Sequence, residues 1–348
     1  MPSSWSSTSE AQRLSKPADR VASVVEFGCK RPVIRTRIWE MREFLSARSI
    51  TPVRILSLLP SATEILFDLG LGDQVVGVTF ECDFPPEARN KRIVSTSALP
   101  EGLSPAEIDL VVKERMAAGE DLYHLDRGAF SDIAPTMVVT QDLCAVCAVD
   151  VSEVDDAMTY LGCSADVVTL DPMTLDEVID SVMTVGAATN TDERAAEIVA
   201  ECRERLAAVA TQLDGVDPRP TLLLEWTDPA FTDGHWVPDM ITAAGGRSMM
   251  GFPGANSQGA SWEAIAECAA DVVIVAPCGF RLEGAQRLAE EVVARRVLPA
   301  GAEVWAVDAD AFVVRPGPRV VEGVAVFASI LHPDRCGPPD PAHAVRVA

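Results

Sequence analysis

The sequence predicts an α/β protein of two lobes with parallel sheets, joined by one long helix. Three observations support this prediction. Short apolar runs alternate with helical segments in both halves of the chain, which is typical of parallel α/β sheets. Residues 174–215, between the halves, carry no strand signal. Within them, Asp192–Leu213 has a single apolar stripe at helical spacing and no internal Gly or Pro.

The composition is that of a globular, acidic protein. Of its 348 residues, 48% are hydrophobic and 23% are charged, and the net charge at pH 7 is -23. A chain of this length can form two lobes with a full core. Because so acidic a surface cannot neutralise phosphates, the composition argues against a nucleic-acid partner and against docking on anionic lipid. No uninterrupted apolar segment predicts membrane insertion.

The first 50 residues differ from the rest. They contain nine Lys/Arg and five Asp/Glu, are rich in Ser and Arg, and show no clear periodicity. They are interpreted as a disordered tail, a targeting peptide, or an extension upstream of a true start at Met41. No apolar signal-peptide core is visible, and nine cysteines in a large chain are not a secreted disulfide framework. These features predict a cytoplasmic protein, or an extracytoplasmic one if the N-terminus is misassigned.

The first lobe is assigned to residues 51–173. Strands are predicted in "VRILSLLP", "QVVGVT" and "ADVVTLDP" and at Met137–Thr140. Two Ser-x-x-Glu patterns, Ser61 with Glu64 and Ser104 with Glu107, predict capping boxes at helix starts.

Residues 174–215 are assigned to a helical linker. Thr174 and Glu177 predict a capping box at its start. Asp192–Leu213 follows as a helix of roughly 22 residues, about 33 Å long. Its length favours a strut between lobes over an ordinary surface helix.

The second lobe is assigned to residues 216–335 and is followed by a tail, 336–348. "TLLLEW", "DVVIVAP" and "AEVWAVD" are the predicted strands, and "PRVVEGVAVFASIL" is the closing helix.

Four segments follow the carboxyl ends of predicted strands: "TFECDFPP", "QDLCAVC", "TDPAFTDGHW" and "PCGF". Ligands of open parallel sheets bind at such ends, so we expect these segments to line one cleft between the lobes. Thiolates and imidazole are ligands of zinc, cobalt or iron, whereas aromatic rings cover flat, apolar ligands. The candidate metal ligands are Cys82, Cys144, Cys147 and His235. The candidate ligand-binding residues are Ser61, Glu81, Trp226, Phe231, His235, Trp236 and Cys278.

Simpler interpretations stay open for these residues. A lone C-x-x-C pattern is a weak metal signal, and single cysteines or a histidine beside a tryptophan are also common in cores. A redox role ranks lower, because a redox C-x-x-C usually opens a helix. No nucleophile elbow, P-loop or dinucleotide fingerprint is present, so an enzyme is not predicted.

Two segments carry a family resemblance. "RILSLLPSATEILFDLGLGDQVVGVTFECDFPP" and "LLLEWTDPAFTDGHWVPDMITAAGG" resemble the openings of the two lobes of iron-chelate and cobalamin substrate-binding proteins of ABC importers. The resemblance covers roughly Val53 to Leu331, and "LCAVCAV", "GHWVP" and "PCGF" are similar to the cobalamin-binding members. An insertion, about Ser104 to Phe130, departs from the pattern. The resemblance implies two Rossmann-like lobes joined by one long helix, the helical-backbone metal-receptor type.

The resemblance also implies a function. It predicts non-enzymatic binding of a metal chelate, cobalamin or a related corrinoid, between the lobes, with an ABC permease as partner. If the ligand is a corrinoid, we expect His235 to be the axial ligand to its cobalt. The alternative hypothesis is a bare-metal protein, with zinc bound through Cys82, Cys144, Cys147 and His235, or an enzyme that uses that metal or the thiols.

Overall fold

A computed structural model of the chain describes residues 53–100, 102–118, 122–125, 133–141 and 165–348. Two units are distinguished along the chain, Met1–Ile50 and Thr51–Ala348. All of the architecture below belongs to the second unit. The expectations for residues 1–50, and those for Cys144 and Cys147, lie outside the described residues.

The first sheet is parallel, as predicted. Its described strands run in the order β3-β2-β1-β6-β7, and every pairing between them is parallel. Their bounds are β1 Ile55–Ser57, β2 Val75–Val78, β3 Arg92–Ile93, β6 Met137–Thr140 and β7 Asp166–Thr169. The carboxyl ends of all five therefore meet at one edge of the sheet.

Helix α1 (Pro60–Asp68) follows β1, and its start corrects a prediction. The capping box expected from Ser61 and Glu64 does not form, because Pro60 already occupies the first turn and Leu59 is the N-cap. Proline suits that position, since its missing N–H has no partner in the first turn of a helix. Ser61 and Glu64 consequently lie inside the helix, where both are buried.

The predicted insertion contains a helix and one strand, which pairs with a strand that precedes the insertion. Helix α2 (Pro105–Ala118) lies between β4 (Ser95–Ser97) and β5 (Tyr123–Leu125), which pair with each other. The capping box at its start is confirmed: the Ser104 amide donates to the Glu107 carboxylate at 2.8 Å, and the Glu107 amide donates to the Ser104 hydroxyl at 3.4 Å.

The linker consists of two helices, α3 (Leu175–Thr189) and α4 (Asp192–Gln212). Thr174 and Glu177 form the predicted capping box at the start of α3. Helix α4 is unbroken over 21 residues, about 32 Å. The predicted helix of similar length is therefore confirmed, and its end lies one residue before the predicted Leu213.

The second sheet runs β10-β8-β11-β12-β13, and β9 pairs with β8. Its bounds are β8 Arg219–Thr227, β9 Ala230–Thr232, β10 Gly246–Ser248, β11 Val272–Val275, β12 Glu303–Val307 and β13 Ala344–Arg346. The central pairings are parallel, whereas β9 and β13 are antiparallel. Strand β13 lies within the segment expected to be a tail.

Six helices belong to the same lobe as this sheet. They are α5 Val237–Ala243, α6 Trp262–Glu267, α7 Leu282–Arg295, α8 Ala309–Phe312, α9 Val320–Leu331 and α10 Pro333–Cys336. The fold predicted from the sequence, two parallel α/β lobes and a long connecting helix, is confirmed.

One apolar core extends through both lobes. The buried cluster that contains Ile55 and Leu66 of the first lobe continues through Val199 of α4 to Met240 and Phe327 of the second. The opposite faces of the two sheets have smaller clusters of their own. Because the main cluster is continuous, separating the lobes would expose apolar surface, which is unfavourable.

Candidate functional site

Asp83 joins the carboxyl ends of the two sheets. It follows β2 of the first lobe, and its carboxylate accepts hydrogen bonds from Arg281 and Arg315 of the second lobe, the latter at 2.6 Å. Arg89 of its own lobe approaches to 3.4 Å. Arg281 follows β11, and Arg315 lies in the segment after β12. The loops at the ends of three strands therefore contact one another across the cleft.

A second interlobe pair lies beside the first. Arg319, at the N-cap of α9, donates to Glu64 at 2.5 and 2.8 Å, and Glu64 is only 2% exposed. Burial raises the pKa of Glu64, and the hydrogen bond and charge of Arg319 oppose that rise. The Arg319 guanidinium also lies 4.0 Å from the centre of the Phe84 ring.

These side chains enclose a polar pocket of about 310 Å³ at the cleft. Burial raises the pKa of Asp310 in its wall, and the charge of Arg315 opposes this effect. A pocket of this volume is at the lower end of the range for small-molecule sites. Its charged lining is Arg89, Arg281, Arg315, Arg319, Asp83, Asp308 and Asp310.

An aromatic pair lies on the second-lobe side of the cleft. The rings of Trp226, near the end of β8, and Phe280, after β11, are 5.8 Å apart between centroids. The Trp226 indole N–H donates to the Pro105 carbonyl of the first lobe at 3.2 Å. Phe80, after β2 in the first lobe, is 40% exposed. Phe280 directly precedes Arg281 of the pocket lining, and Phe84 lines the pocket itself, so aromatic side chains adjoin the polar pocket.

His235 occupies a tight turn after β9. Its φ is 52°, its amide donates to Ala255, and its carbonyl accepts from Gly254 at 3.0 Å. Gly254 in turn lies against Thr174, at the entry to the linker. Burial lowers the pKa of the imidazole, and a hydrogen bond with Asn256 opposes this change. At neutral pH the ring is neutral and has a lone pair to offer a metal.

Two carboxylates hold the His235 loop in place. Glu225 accepts hydrogen bonds from the Gly234 amide, at 2.9 Å, and from the Ser257 hydroxyl. Asp233 is 2% exposed and accepts from the Ser248 hydroxyl at 2.7 Å. Burial raises the pKa of Asp233 to about 6, although the Ser248 hydrogen bond opposes the rise. The loop is thus held by one buried carboxylate, Asp233, and one half-buried carboxylate, Glu225.

The remaining candidate ligand-binding residues occupy different environments. Ser61 is buried where Gly317 of the second lobe packs against it. The Glu81 carbonyl accepts from Arg315 at 3.3 Å. Phe231 lies in β9 and pairs with Gly259. Trp236 is 7% exposed and donates to the Val313 carbonyl at 2.8 Å. Cys278, after β11, is partly exposed.

The candidate metal ligands are only partly described. Cys82 is buried, 3.0 Å from the Thr63 hydroxyl and 3.1 Å from that of Thr79. Burial raises the pKa of its thiol, whereas metal binding requires the thiolate. Across the described ranges, no three or more His, Cys, Asp or Glu side chains are grouped to hold a metal ion.

Sequence reasoning missed the charged residues of the cleft. Arg281, Arg315 and Arg319 follow the ends of β11 and β12, so the rule that selected "PCGF" could also have selected the arginines beyond it. Phe84 and Phe280 were missed in the same way, although they lie inside or next to the quoted segments. Arginine after a strand is most often a solvated charge, so its position alone does not predict a role in binding.

The family of the chain follows from its sequence. A family profile described as "Periplasmic binding protein" matches residues 55–304, which is most of the chain. The chain belongs to the periplasmic binding protein family. As a member of a family of binding proteins, it is not an enzyme, as predicted.

Several relatives of this periplasmic binding protein have been named. The uncharacterized ABC transporter substrate-binding lipoprotein YvrC of Bacillus subtilis is 24% identical over 296 residues, covering 81% of each chain. A cobalamin-binding protein of Halobacterium salinarum is 26% identical over 289 residues, covering 81% of this chain and 70% of its own.

Solved structures share its fold. The periplasmic heme-binding protein of Pseudomonas aeruginosa is 16% identical with a TM-score of 0.63, covering 85% of this chain and 98% of its own. The vitamin B12-binding protein BtuF of Vibrio cholerae is 21% identical with a TM-score of 0.52, covering 80% of this chain and 97% of its own. At these identities the likeness concerns the fold alone.

The comparisons correct one expectation. A cytoplasmic location was predicted, and it is wrong, because the family is one of periplasmic binding proteins and a relative is a lipoprotein. Separately, none of the helices within the described ranges has the length and apolar character needed to cross a membrane.

Proposed function

We propose that this protein binds a corrinoid in the cleft between its lobes and delivers it to the permease of an ABC importer. The observation that carries the proposal is the lining of the cleft. Aromatic rings suit the flat face of a macrocycle, and charged groups next to them suit its polar rim. The relatives named as cobalamin- or vitamin B12-binding proteins favour a corrinoid among the possible macrocycles.

His235 is the proposed axial ligand to the cobalt of that corrinoid. Its half-buried imidazole is neutral at pH 7 and has the lone pair that a metal requires, and Asn256 holds the ring through a hydrogen bond. A hydrogen bond to a ligating histidine fixes the orientation of its ring. The contact between Gly254 and Thr174 places the His235 loop near the junction between the second lobe and the linker.

Haem is the second candidate ligand. Four arginines line the polar pocket, and a guanidinium pairs with a carboxylate such as a haem propionate. The alternative of a bare zinc site is not proposed. Among the described residues, no cluster of three or more His, Cys, Asp or Glu side chains could hold the ion, and Cys82 is a buried thiol.

The experiment is a direct comparison of ligands. Purified protein is titrated with hydroxocobalamin and with hemin, and binding is followed by visible absorbance and calorimetry. We expect saturable one-to-one binding of the corrinoid and weaker binding of hemin. Tighter binding of hemin would replace the first candidate by the second, and binding of neither would overturn the proposed function.

A further inference from the structure

Helix α2 contacts both lobes. It belongs to the insertion between β4 and β5 of the first lobe, and Val112 on it packs against the apolar cluster that contains Leu58 and Val94. Other parts of the helix face solvent; Leu110, for example, is 56% exposed. The helix thus contacts the core of the first lobe through Val112.

The first residue of α2 reaches the second lobe. The Trp226 indole N–H is shared between the Pro105 carbonyl at 3.2 Å and the Asp228 carbonyl at 3.1 Å. One acceptor belongs to the turn that follows Trp226, and the other lies 121 positions away along the chain. The indole therefore ties the start of α2 to the end of β8.

Trp226 has a second, indirect connection to the first lobe, through Phe280 and Arg281. Its ring contacts Phe280, and the next residue, Arg281, binds the Asp83 carboxylate. The aromatic pair is therefore linked to the first lobe at two points, through Pro105 and through Asp83. Separating the two lobes at this aromatic pair breaks both links.

We propose that α2 is a latch across the cleft, held to the second lobe by Trp226, and that it opens before bound ligand leaves. This inference rests on the proposed function, since it assigns the ligand to the cleft. The latch controls the rate of ligand exchange rather than the affinity, because opening it changes the barrier for entry and exit equally. Its residues are those of α2, Pro105–Ala118, and Trp226.

The first test needs no ligand. Hydrogen exchange of the α2 amides is compared in the parent, in Trp226→Phe, which keeps a ring but lacks the N–H, and in Trp305→Phe. Trp305 is the matched control because its indole N–H bonds to Glu303 within the second lobe. We expect exchange in α2 to rise about fivefold in Trp226→Phe only, as expected for loss of one hydrogen bond. Equal exchange in all three proteins would overturn the latch.

The second test measures ligand exchange. Ser104→Ala with Glu107→Ala removes the capping box that orders the first turn of α2, and Lys113→Ala, which removes an exposed ion pair with Asp109 on the same helix, is the control. For hydroxocobalamin or hemin, whichever binds, we expect association and dissociation to accelerate together by about fivefold, with an unchanged Kd. Unchanged rates, or a change in dissociation alone, would overturn the gating role.

The two tests separate the latch from the proposed function. If neither ligand binds the parent, the proposed function fails, whereas hydrogen exchange still decides whether Trp226 holds α2. If ligand binds and the α2 amides are insensitive to Trp226→Phe, the latch fails and the proposed function stands.

Discussion

Arg319 donates two hydrogen bonds to the carboxylate of Glu64, a residue 255 positions earlier in the chain. The pair joins the start of α9 in the second lobe to α1 in the first. Because Glu64 is buried, its charge depends on Arg319, which bonds to it directly, and on the nearby charge of Arg315. Loss of Arg319 removes the direct partner of a buried carboxylate, and loss of Glu64 leaves a half-buried guanidinium without its carboxylate.

We expect Glu64→Ala to lower the free energy of unfolding by about 3 kcal/mol, the range typical of a broken buried pair. Urea denaturation measures this change. Asp180→Ala is the control, since it removes an exposed pair with Arg203 and should cost less than about 1 kcal/mol. The double variant Glu64→Gln with Arg319→Met should be more stable than Glu64→Ala. Equal losses in the two alanine variants would contradict the role of the buried pair.

Asp233 should make stability depend on pH. Burial raises its pKa from 3.8 to about 6, so the folded state binds the proton more tightly than the unfolded state does. Protonated Asp233 therefore adds to the free energy of unfolding below the pKa of the unfolded state. This contribution is lost as pH rises from about 4 to about 6. The difference between the two pKa values, 3.8 and about 6, corresponds to a loss of unfolding free energy on the order of 2–3 kcal/mol.

Asp233→Asn tests this dependence, because asparagine does not titrate. Unfolding free energies are measured at several values between pH 4 and pH 7. The stability of the variant relative to the parent should rise across this interval. Parallel pH profiles for the parent and Asp233→Asn would show that the buried carboxyl does not titrate here.

The stability of the protein and the relative orientation of its lobes should depend on the continuity of helix α4. Ala207 and Ala208 lie in its second half and are exposed, so replacing both by glycine removes no buried contact. The intrinsic preference of alanine over glycine predicts a loss of about 2 kcal/mol. Serine at both positions is the control and should cost about half as much. Small-angle scattering of the glycine variant should show a wider range of lobe orientations. If both its stability and its scattering match those of the parent, α4 does not act as a rigid connection between the lobes.

His235→Ala should weaken corrinoid binding more than it changes stability. The control is His124→Ala, which removes an exposed histidine from β5. With the parent and the control, hydroxocobalamin should show a shift of its visible bands when imidazole enters the cobalt coordination. With His235→Ala the shift should be absent. A shift that persists in this variant would exclude axial ligation by His235.

The same binding should weaken in acid, because a protonated imidazole cannot ligate a metal. Burial lowers the pKa of His235, so affinity should hold to a pH below the ordinary histidine range before it falls. Titrations of the parent between pH 4 and pH 8 measure this limit. A fall in affinity already near pH 7 would contradict the lowered pKa.

Local patterns predicted the elements of the fold better than its site. Thr174 with Glu177 and Ser104 with Glu107 form capping boxes because their partners lie three residues apart, within the reach of sequence spacing. Ser61 with Glu64 has the same spacing, but Glu64 instead pairs with Arg319 of the other lobe. A partner 255 positions away leaves no mark in a local pattern.

Topology, rather than residue type, predicted the position of the cleft. Apolar runs such as Val75–Val78 and Val272–Val275 correctly placed the carboxyl ends of strands, and the loops beyond them do contact across the cleft. Which side chains face the cleft depends on packing. Trp236 illustrates this limit, since its indole is fixed to the Val313 carbonyl inside the second lobe.

The shared apolar interior limits how this protein could have diversified. A lobe taken from another binding protein would have to match the buried surfaces of α4, α9 and the opposite lobe at once, since one cluster unites them. Wholesale exchange of lobes is therefore a poor route to a new specificity. Substitutions and insertions in the loops beyond the strands leave that interior intact, and the segment that carries α2 is one such insertion. We expect changes of ligand specificity during evolution to arise in these loops and in this insertion.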